Sequence, residues 1–273
     1  NKCLLPSSEI YNALSKEGRK LYWKQVNEGL FEKGVDAWWC DSSEPLTVEW
    51  MHKERMEPAV MYVEFCKELQ NILPADMTNS YSFFHAMTIY EGQRSVGKAG
   101  ESKRVCNLTR AAYTGQQRYG TILWSGDTDA SWDTYRKQIA CGLNFAASGL
   151  PYWTVDIGAF FVKNGNCWYW KGEYDRTNQD LGYQELFTRW YQWGAFLPVF
   201  RGHGTDCRRE LWEYTGADNM FYDAMVKINE LRYKLMPYIY SQAGKVWIYD
   251  DSMIKMLAFD YGYDNNVLDI KDQ

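Results

Sequence analysis

The sequence contains no apolar run of about 18 residues, no long run of charge of one sign, and no cysteine pair in CxxC spacing. The first absence excludes a membrane-spanning helix, so we expect no membrane partner. The second, with 30 basic and 35 acidic residues, argues against a nucleic-acid partner, because such proteins usually carry a basic stripe. Seven scattered cysteines predict reduced, buried thiols and no zinc or other metal site.

Phosphate-binding loops are also missing. Neither GxGxxG nor GxxxxGK[ST] follows a predicted strand, which removes the usual nucleotide-binding fingerprints and makes an oxidoreductase of the Rossmann type a poor candidate. The chain opens at NKCLLPSSEIYN without an initiator Met, so we expect a fragment or a processed form. The absent signal peptide therefore does not decide the compartment, and cytoplasm and periplasm both stay open.

Aromatic residues are abundant. They make up 17% of the chain, with 13 Trp and 21 Tyr, and the hydrophobic share of 46% supports a packed core. Aromatic rings suit a surface that stacks on the apolar faces of sugar rings, although for most of them a place in the core is the better explanation.

Helical and strand-like segments alternate along the chain. Helices are predicted at 15–34 with Ser15 as N-cap and Gly34 as the end, from Pro58, from Ser131 to Gly149, at 183–196, and at 219–244 with an interruption near Pro237. Strands are predicted at 35–40, 105–111, 121–124, 152–156 and 197–201, and two further strand-like runs lie at 246–249 and 256–261.

Strands that are apolar throughout, alternating with amphipathic helices, predict an α/β fold with parallel strands covered on both faces. A doubly wound sheet and a (β/α)8 barrel both fit this pattern. About five strands before the last helix are too few for a whole barrel, but enough for its second half.

Five charged or titratable residues lie at or just after the C-terminal ends of five predicted strands: Asp41, Arg110, Asp127, Asp156 and His203. Barrel enzymes take their catalytic residues from the C-terminal ends of the strands. Each residue alone has an ordinary explanation: an acid that starts a turn, a helix cap for Asp127, a structural Asp156–Arg110 ion pair, or a core histidine. Their shared position favours function.

Cleavage of a glycosidic bond with retention needs two carboxyl groups about 5–5.5 Å apart, one ionised and one protonated. Three tryptophans are placed to form a low-polarity stacking wall: Trp38, Trp39 and Trp124. Arg110, Asp156 and His203 are suited to hold sugar hydroxyls by charge-assisted hydrogen bonds.

Four blocks of sequence, in order, resemble glycoside hydrolase family 31, which includes α-glucosidases and α-xylosidases: GVDAWWCDSSEP, RAAYTGQQRYGTILWSGDTDASW, GLPYWTVDIGAFF and PVFRGHGTDCRRELW. The resemblance implies that Asp41, in the W-x-D-x-x-E block, is the nucleophile. It implies that Asp127, in the W-x-G-D block, is the general acid/base, and that the mechanism is retaining with no metal or organic cofactor. It also implies a substrate-binding set: Trp39, Arg110, Trp124, Asp156 and His203. Glu44 is expected to support the loop near the nucleophile.

The resemblance further implies that residues 1–245 are the C-terminal part of a TIM barrel, about strands 4–8. Residues 246–273 would contain the last strand region of the barrel and the connection to a following β domain. The expected partners are an oligosaccharide substrate and the rest of the parent polypeptide, namely an N-terminal β-sandwich, the first barrel strands and C-terminal β domains. The isolated segment is expected to be inactive.

The stretch AWWCDSSEP is more similar to the AWWxDxSEP of α-xylosidases than to the W-x-D-M-N-E of many α-glucosidases, and IYEGQR at 89–94 agrees. The sequence therefore favours an α-xylosidase acting on xyloglucan-type oligosaccharides. The alternatives are an α-glucosidase on malto-oligosaccharides, and a transglycosylase or lyase on the same scaffold. A catalytically inactive carbohydrate-binding protein would be expected to lack Asp41 or Asp127, and both are present.

Overall fold

A computed structural model describes residues 10–45, 57–96, 103–165 and 171–270. The chain divides into two compact units, with the boundary between Leu123 and Trp124. We call residues 1–123 the first unit and residues 124–273 the second unit.

Among its described residues, the first unit contains the α-helices α1 Lys16–Gly29, α2 Pro58–Leu69 and α3 Tyr81–Ser95. Ser15 caps α1 as predicted, since its hydroxyl accepts a hydrogen bond from the Gly18 amide. A short 3₁₀ turn, Phe31–Lys33, follows α1 and ends at Gly34, whose φ of 98° is the left-handed conformation that glycine adopts readily. Helix α2 begins at Pro58, also as predicted.

Helix α3 was not predicted from the sequence. The reason is that several of its buried side chains are polar, among them Ser82, His85, Thr88 and Gln93. Polar residues on the buried face remove the apolar stripe by which an amphipathic helix is recognised.

Three of the described strands pair in parallel, as predicted: β1 Trp38–Cys40, β2 Asn107–Thr109 and β3 Thr121–Trp124, whose last residue is the first of the second unit. In register, Cys40 is opposite Thr109, and Thr109 is opposite Leu123. The prediction that β1 is buried on both faces is wrong for the part of the unit that the structure describes. Trp38 is buried and donates from Nε1 to Gln93 Oε1 at 2.7 Å, whereas Trp39 is 52% exposed.

Buried aromatic rings surround His85 in the first unit. The rings of Tyr22 and Tyr81 pack against the imidazole, and the Tyr11 hydroxyl lies 3.0 Å from His85 Nδ1. Burial lowers the pKa of His85 to about 4, because the charged imidazolium would lose its hydration there. The core of this unit therefore holds a neutral histidine.

The described part of the second unit contains β4 Trp153–Thr154 and the α-helices α4 Trp132–Ala147, α5 Leu181–Gly194, α6 Met220–Tyr249 and α7 Leu257–Tyr261. Ser131 caps α4 as predicted, accepting from the Thr134 amide, and Gly149 follows its end with a φ of 84°. The largest fully buried side chains of the unit include Trp153, Trp190 and Phe187.

Three strand predictions in the second unit are wrong. Residues 197–201 form no regular strand; they run beside β4 through Thr154 Oγ1 to Val199 O (2.7 Å) and a single bridge between Ile157 and Gly202. Residues 246–249 are the end of α6, and 256–261 are almost entirely α7. Short apolar runs do not separate strand from helix, which explains these errors.

The predicted interruption near Pro237 is also wrong, because α6, which is 30 residues long, includes Pro237 without a break. Proline removes one backbone donor, and a helix can absorb that loss where neighbouring groups take up the carbonyls. The carbonyl left without its donor is that of Tyr233, four residues before Pro237, and the remaining bonds of the long helix carry it across this one gap. The division at 245/246 stays a prediction, although it falls inside α6. Among the described residues, no helix has both the length and the apolarity to cross a membrane.

Candidate active site

Asp41 and Arg110 lie side by side in the first unit. Each follows the last residue of its strand, and the pairing of Cys40 with Thr109 places the two strand ends next to each other. The Arg110 amide donates to Cys40 O at 3.2 Å. Arg110 Nη1 lies 2.8 Å from Asp41 Oδ1, so the predicted nucleophile and a predicted binding residue form an ion pair.

Glu44 shares the same guanidinium. Arg110 Nε donates to Glu44 Oε2 at 3.3 Å, and Arg110 Nη2 donates to Glu44 Oε1. Arg110 Nη2 also donates to Ser42 Oγ at 3.2 Å. A fork of this kind, with two donors on one carboxylate, is the strongest geometry that arginine offers to a carboxylate.

The loop after β1 is anchored to the end of β2 by a second set of bonds. Ser43 Oγ lies 2.6 Å from Thr109 Oγ1, and it accepts from the Ala111 amide at 3.1 Å. The Ser42 amide donates to Asp41 Oδ1 at 2.7 Å. The carboxylate of Asp41 is therefore held by a backbone amide and by a guanidinium.

Access differs among these side chains: Asp41 is 39% exposed, Glu44 29% and Arg110 17%. Asp41 can thus meet a ligand while its cation stays mostly covered. The neighbouring Cys40 is not a competing nucleophile, because burial raises the pKa of its thiol to about 12 and only the thiolate attacks.

Asp127 lies in the second unit, on the loop between β3 and α4. The cap of α4 is Ser131, and Asp129 Oδ1 accepts from Thr134 Oγ1 at 2.8 Å, so the ordinary explanation of Asp127 as the helix cap is wrong. The loop is fixed by backbone bonds from Phe160 and Phe161 to Thr128 O, at 3.0 and 2.9 Å. Asp127 itself is exposed.

Asp156 and Trp124 are joined through Arg201. Asp156 is fully buried, and its Oδ1 lies 3.2 Å from Arg201 Nη2. The Arg201 guanidinium lies 5.6 Å from the centre of the Trp124 ring, a cation–π distance. Arg201 was missing from the predicted site, because spacing along the chain does not reveal that it lies next to Asp156. An arginine directly before the GHG of a predicted site was the available signal.

His203 lies two residues beyond Arg201, and its ring centre is 5.6 Å from that of Phe160. The loop that carries it is anchored by Arg209, whose Nη2 donates to Ala159 O at 2.8 Å and to Phe160 O at 3.2 Å. Asp206 Oδ2 accepts from the Val162 amide at 2.8 Å. These bonds tie the segment after Asp156 to the segment after His203.

The structure thus joins Asp41 with Arg110 in the first unit, and Trp124 with Asp156 in the second. The expected approach of Asp41 to Asp127 stays a prediction. Within the described ranges, no group of three His, Cys, Asp or Glu side chains is placed to hold a metal ion.

Comparison with known proteins identifies the fold. Residues 4–242 match the glycosyl hydrolases family 31 TIM-barrel domain. An α-xylosidase of Saccharolobus solfataricus is 35% identical, over 99% of this chain and 33% of its own length. An α-glucosidase of the same organism is 26% identical, over 98% of this chain and 38% of its own length.

Solved structures agree. The α-xylosidase of Xanthomonas citri superposes with a TM-score of 0.81 at 36% identity, covering 97% of this chain and 27% of that protein. An α-xylosidase from a soil metagenome, complexed with xylose, gives 0.77 at 28% identity, covering 97% and 37%. The chain therefore spans about a third of the length of the relatives it matches.

Proposed function

The chain belongs to glycoside hydrolase family 31, and from this premise we propose that its parent polypeptide is a retaining α-glycosidase that releases α-linked xylose. The fold is α/β with parallel strands and belongs to the family's TIM-barrel domain. The observation that carries the proposal is the environment of Asp41, an accessible carboxylate held by Arg110 at the end of β1. An ionised, oriented carboxylate is what the first step of a double displacement needs.

In the first step, an Asp41 oxygen forms a bond to the anomeric carbon while the bond from that carbon to the leaving oxygen breaks. The electron pair of the broken bond stays on the leaving oxygen, which takes the proton of Asp127. The product is a glycosyl ester of Asp41 and a released alcohol. The proposal requires the two carboxyl groups to lie about 5–5.5 Å apart.

In the second step, Asp127, now ionised, takes a proton from water as the water oxygen attacks the anomeric carbon. The ester bond to Asp41 breaks, its electron pair returns to the carboxylate, and the sugar leaves with its configuration retained. Both acids are then in their starting states. An acceptor sugar in place of water would make the enzyme a transglycosylase.

The remaining residues bind the sugar in this proposal. Trp39 is exposed on β1, two residues before Asp41, and offers a flat apolar face. Asp156, which is paired with Arg201 and fully buried in this structure, is the proposed acceptor for sugar hydroxyls. Trp124 and His203 are proposed to contact the same sugar as Asp156. Arg110 holds the nucleophile and is proposed to donate to a hydroxyl of that sugar.

The sugar is assigned to xylose on two grounds. The stretch AWWCDSSEP matches the α-xylosidase form of the nucleophile block. A relative described as an α-xylosidase, in S. solfataricus, is 35% identical, whereas the 31% identity of the Aspergillus niger α-xylosidase equals that of a neutral α-glucosidase C of Mus musculus. The second candidate is an α-glucosidase, which the 26% identical relative supports.

The rest of the parent polypeptide is proposed as the partner that completes the barrel. Large apolar side chains of the second unit support this, because Trp247 on α6 is 85% exposed and Tyr263 after α7 is 86% exposed. Exposed aromatic surface of this kind marks a contact surface. Residues 1–273 alone are expected to be inactive, and a soluble, monomeric and active recombinant 1–273 would contradict this.

Kinetics of the full-length polypeptide test the proposal. We expect hydrolysis of p-nitrophenyl α-xyloside to exceed that of the α-glucoside, and Asp41→Ala to abolish both. Azide should restore turnover of an activated substrate by Asp127→Ala, since azide needs no general base. Equal rates on the two sugars would remove the xylose assignment, and full activity of Asp41→Ala would remove the nucleophile. Product analysis separates hydrolysis from transfer.

A further inference from the structure

One guanidinium lies between two carboxylates at the end of β1, although the reaction uses only one of them as nucleophile. Arg110 gives Nη1 to Asp41 and both Nε and Nη2 to Glu44. The two bonds to Glu44 fix the plane of the guanidinium, because a planar fork on one carboxylate leaves little freedom to rotate. With that plane fixed, Nη1 is aimed at Asp41 Oδ1.

We propose that Glu44 is a positioning residue that holds Arg110 against Asp41, and so fixes the direction from which Asp41 attacks the anomeric carbon. This inference rests on the proposed function and assigns a role to a residue that the two-acid mechanism leaves out. Glu44 touches neither the bond that forms nor the bond that breaks; it acts through Arg110.

The contacts of Asp41 explain why this matters. Its Oδ1 is held by the Ser42 amide at 2.7 Å and by Arg110 Nη1 at 2.8 Å. A carboxylate held through one oxygen by two donors presents its other oxygen in a fixed direction. If Arg110 turns away, only the Ser42 amide remains of these two donors, and the carboxylate rotates about its bond to Cβ.

Glu44 is suited to this task because it is itself anchored. It follows Ser43, whose hydroxyl is bound to Thr109 Oγ1 and to the Ala111 amide at the end of β2. Arg110 also donates to Ser42 Oγ, at 3.2 Å. The loop after β1 therefore carries the nucleophile, two contacts of Arg110 and the anchor to β2 within four residues.

The test is a double-mutant cycle in the full-length polypeptide, with Glu44→Gln, Arg110→Lys and the two combined. The measured quantity is the rate constant for covalent labelling of the enzyme by 5-fluoro-α-xylosyl fluoride, followed by intact mass. Gln keeps the size of Glu44 but has one acceptor oxygen in place of two. Lys keeps the charge of Arg110 but cannot bind two carboxylates as a fork.

We expect Glu44→Gln to slow labelling about 10–100-fold, since a small misplacement of a reacting group costs about 10²-fold. The inhibitor concentration for half-maximal rate should change less than the rate constant, and every molecule should still become labelled. A merely structural defect would instead lower the final labelled fraction and leave the rate constant of the folded molecules unchanged.

The double variant should label within about twofold of Arg110→Lys alone, because in the proposal Glu44 acts on Asp41 through Arg110. Effects of the two substitutions that multiply would overturn the proposal, and so would an unchanged rate constant in Glu44→Gln. Should Glu44→Gln fail to fold, Glu44→Asp keeps the charge with a shorter reach and is expected to label more slowly than wild type.

The matched control is Glu64→Gln. This substitution removes the same charge and breaks the ion pair between Glu64 and Lys67, which lie 2.8 Å apart on α2. Glu64 makes no contact with Arg110 in the described structure. Its labelling rate should equal that of the wild type. Failure of the proposed function would look different, because the wild-type enzyme itself would then not be labelled at Asp41.

Discussion

Each unit of the chain pairs an aspartate with an arginine, and the two pairs differ in burial. In the first unit, Asp41 is 39% exposed and shares Arg110 with Glu44. In the second unit, Asp156 is fully buried against Arg201. The two arginines are about equally covered, at 17% and 16% exposed, so the pairs differ in the exposure of the carboxylate. A buried carboxylate depends on its cation to remain ionised, because a buried charge without compensation is costly.

The two pairs should therefore respond to substitution in different ways: loss of rate in the first and loss of stability in the second. Replacement of Asp41 by asparagine keeps the shape of the side chain and removes the proposed nucleophile. We expect Asp41→Asn to lower kcat by at least about 10⁴-fold, as removal of a nucleophile does elsewhere. The thermal unfolding midpoint should stay within about 2 °C of wild type. Steady-state kinetics and calorimetry check both halves, and a large loss of stability would erase the contrast between the pairs.

Removal of the second cation tests the other half of the contrast. Arg201→Ala takes the guanidinium away from a fully buried carboxylate, so the free energy of unfolding should fall by about 3–5 kcal/mol. Urea unfolding of the full-length polypeptide measures this. Arg208→Ala is the control, because its ion pair with Glu213 at 3.4 Å involves an arginine that is 79% exposed. Its effect should be at most about 1 kcal/mol. Equal effects of the two would refute the assigned role of burial.

His85 extends the comparison to a buried group without a neighbouring cation or anion among its described contacts. Its pKa falls from about 6.5 in the unfolded chain to about 4 in the folded one, so the unfolded state binds more protons between these values. The stability associated with neutral His85 is fully present above pH 6.5 and is lost as the pH falls toward 4. The loss amounts to about 3 kcal/mol.

Urea unfolding at a series of pH values measures that slope. In His85→Gln the part of the slope between pH 6.5 and 4 that comes from this residue should disappear, because glutamine does not titrate there. A variant with the wild-type slope would show that other groups cause the acid lability.

The smallest expected effect separates the acid on the α4 loop from the helix cap beside it. Ser131→Ala removes the hydroxyl that accepts from the Thr134 amide, and should cost about 1 kcal/mol of stability with little change in kcat. Asp127→Asn should do the opposite and leave stability unchanged while activity is lost. If Asp127→Asn destabilised the protein as much as Ser131→Ala does, Asp127 would be a structural residue.

The sequence predicted the positions of Asp41 and Arg110 at strand ends better than it predicted the bonds that they make. Asp41 and Arg110 were both expected at strand ends, and parallel pairing does bring them together, because strand ends of one sheet share an edge. Which carboxylate takes which nitrogen of Arg110 depends on the register of Cys40 with Thr109, and no spacing along the chain reveals a register. For the same reason Arg201, the partner of Asp156, was missed.

Errors in the secondary structure have a common cause as well. The runs 246–249 and 256–261 are short and rich in apolar and aromatic residues, a composition that is also typical of strands. The structure places both mainly in helices. Helix α3 was missed for the opposite reason, since His85 and Gln93 are polar and buried. Composition predicts an element well only where the buried residues are apolar and the exposed residues are polar.

The most direct test of the central claim is to locate the covalent glycosyl intermediate. The full-length polypeptide is incubated with 5-fluoro-α-xylosyl fluoride, digested with protease, and its peptides are sequenced by mass spectrometry. The account predicts a single added fluoroxylosyl group on Asp41. A label on Glu44 or on any other residue, or no label in an enzyme that hydrolyses α-xylosides, would contradict it.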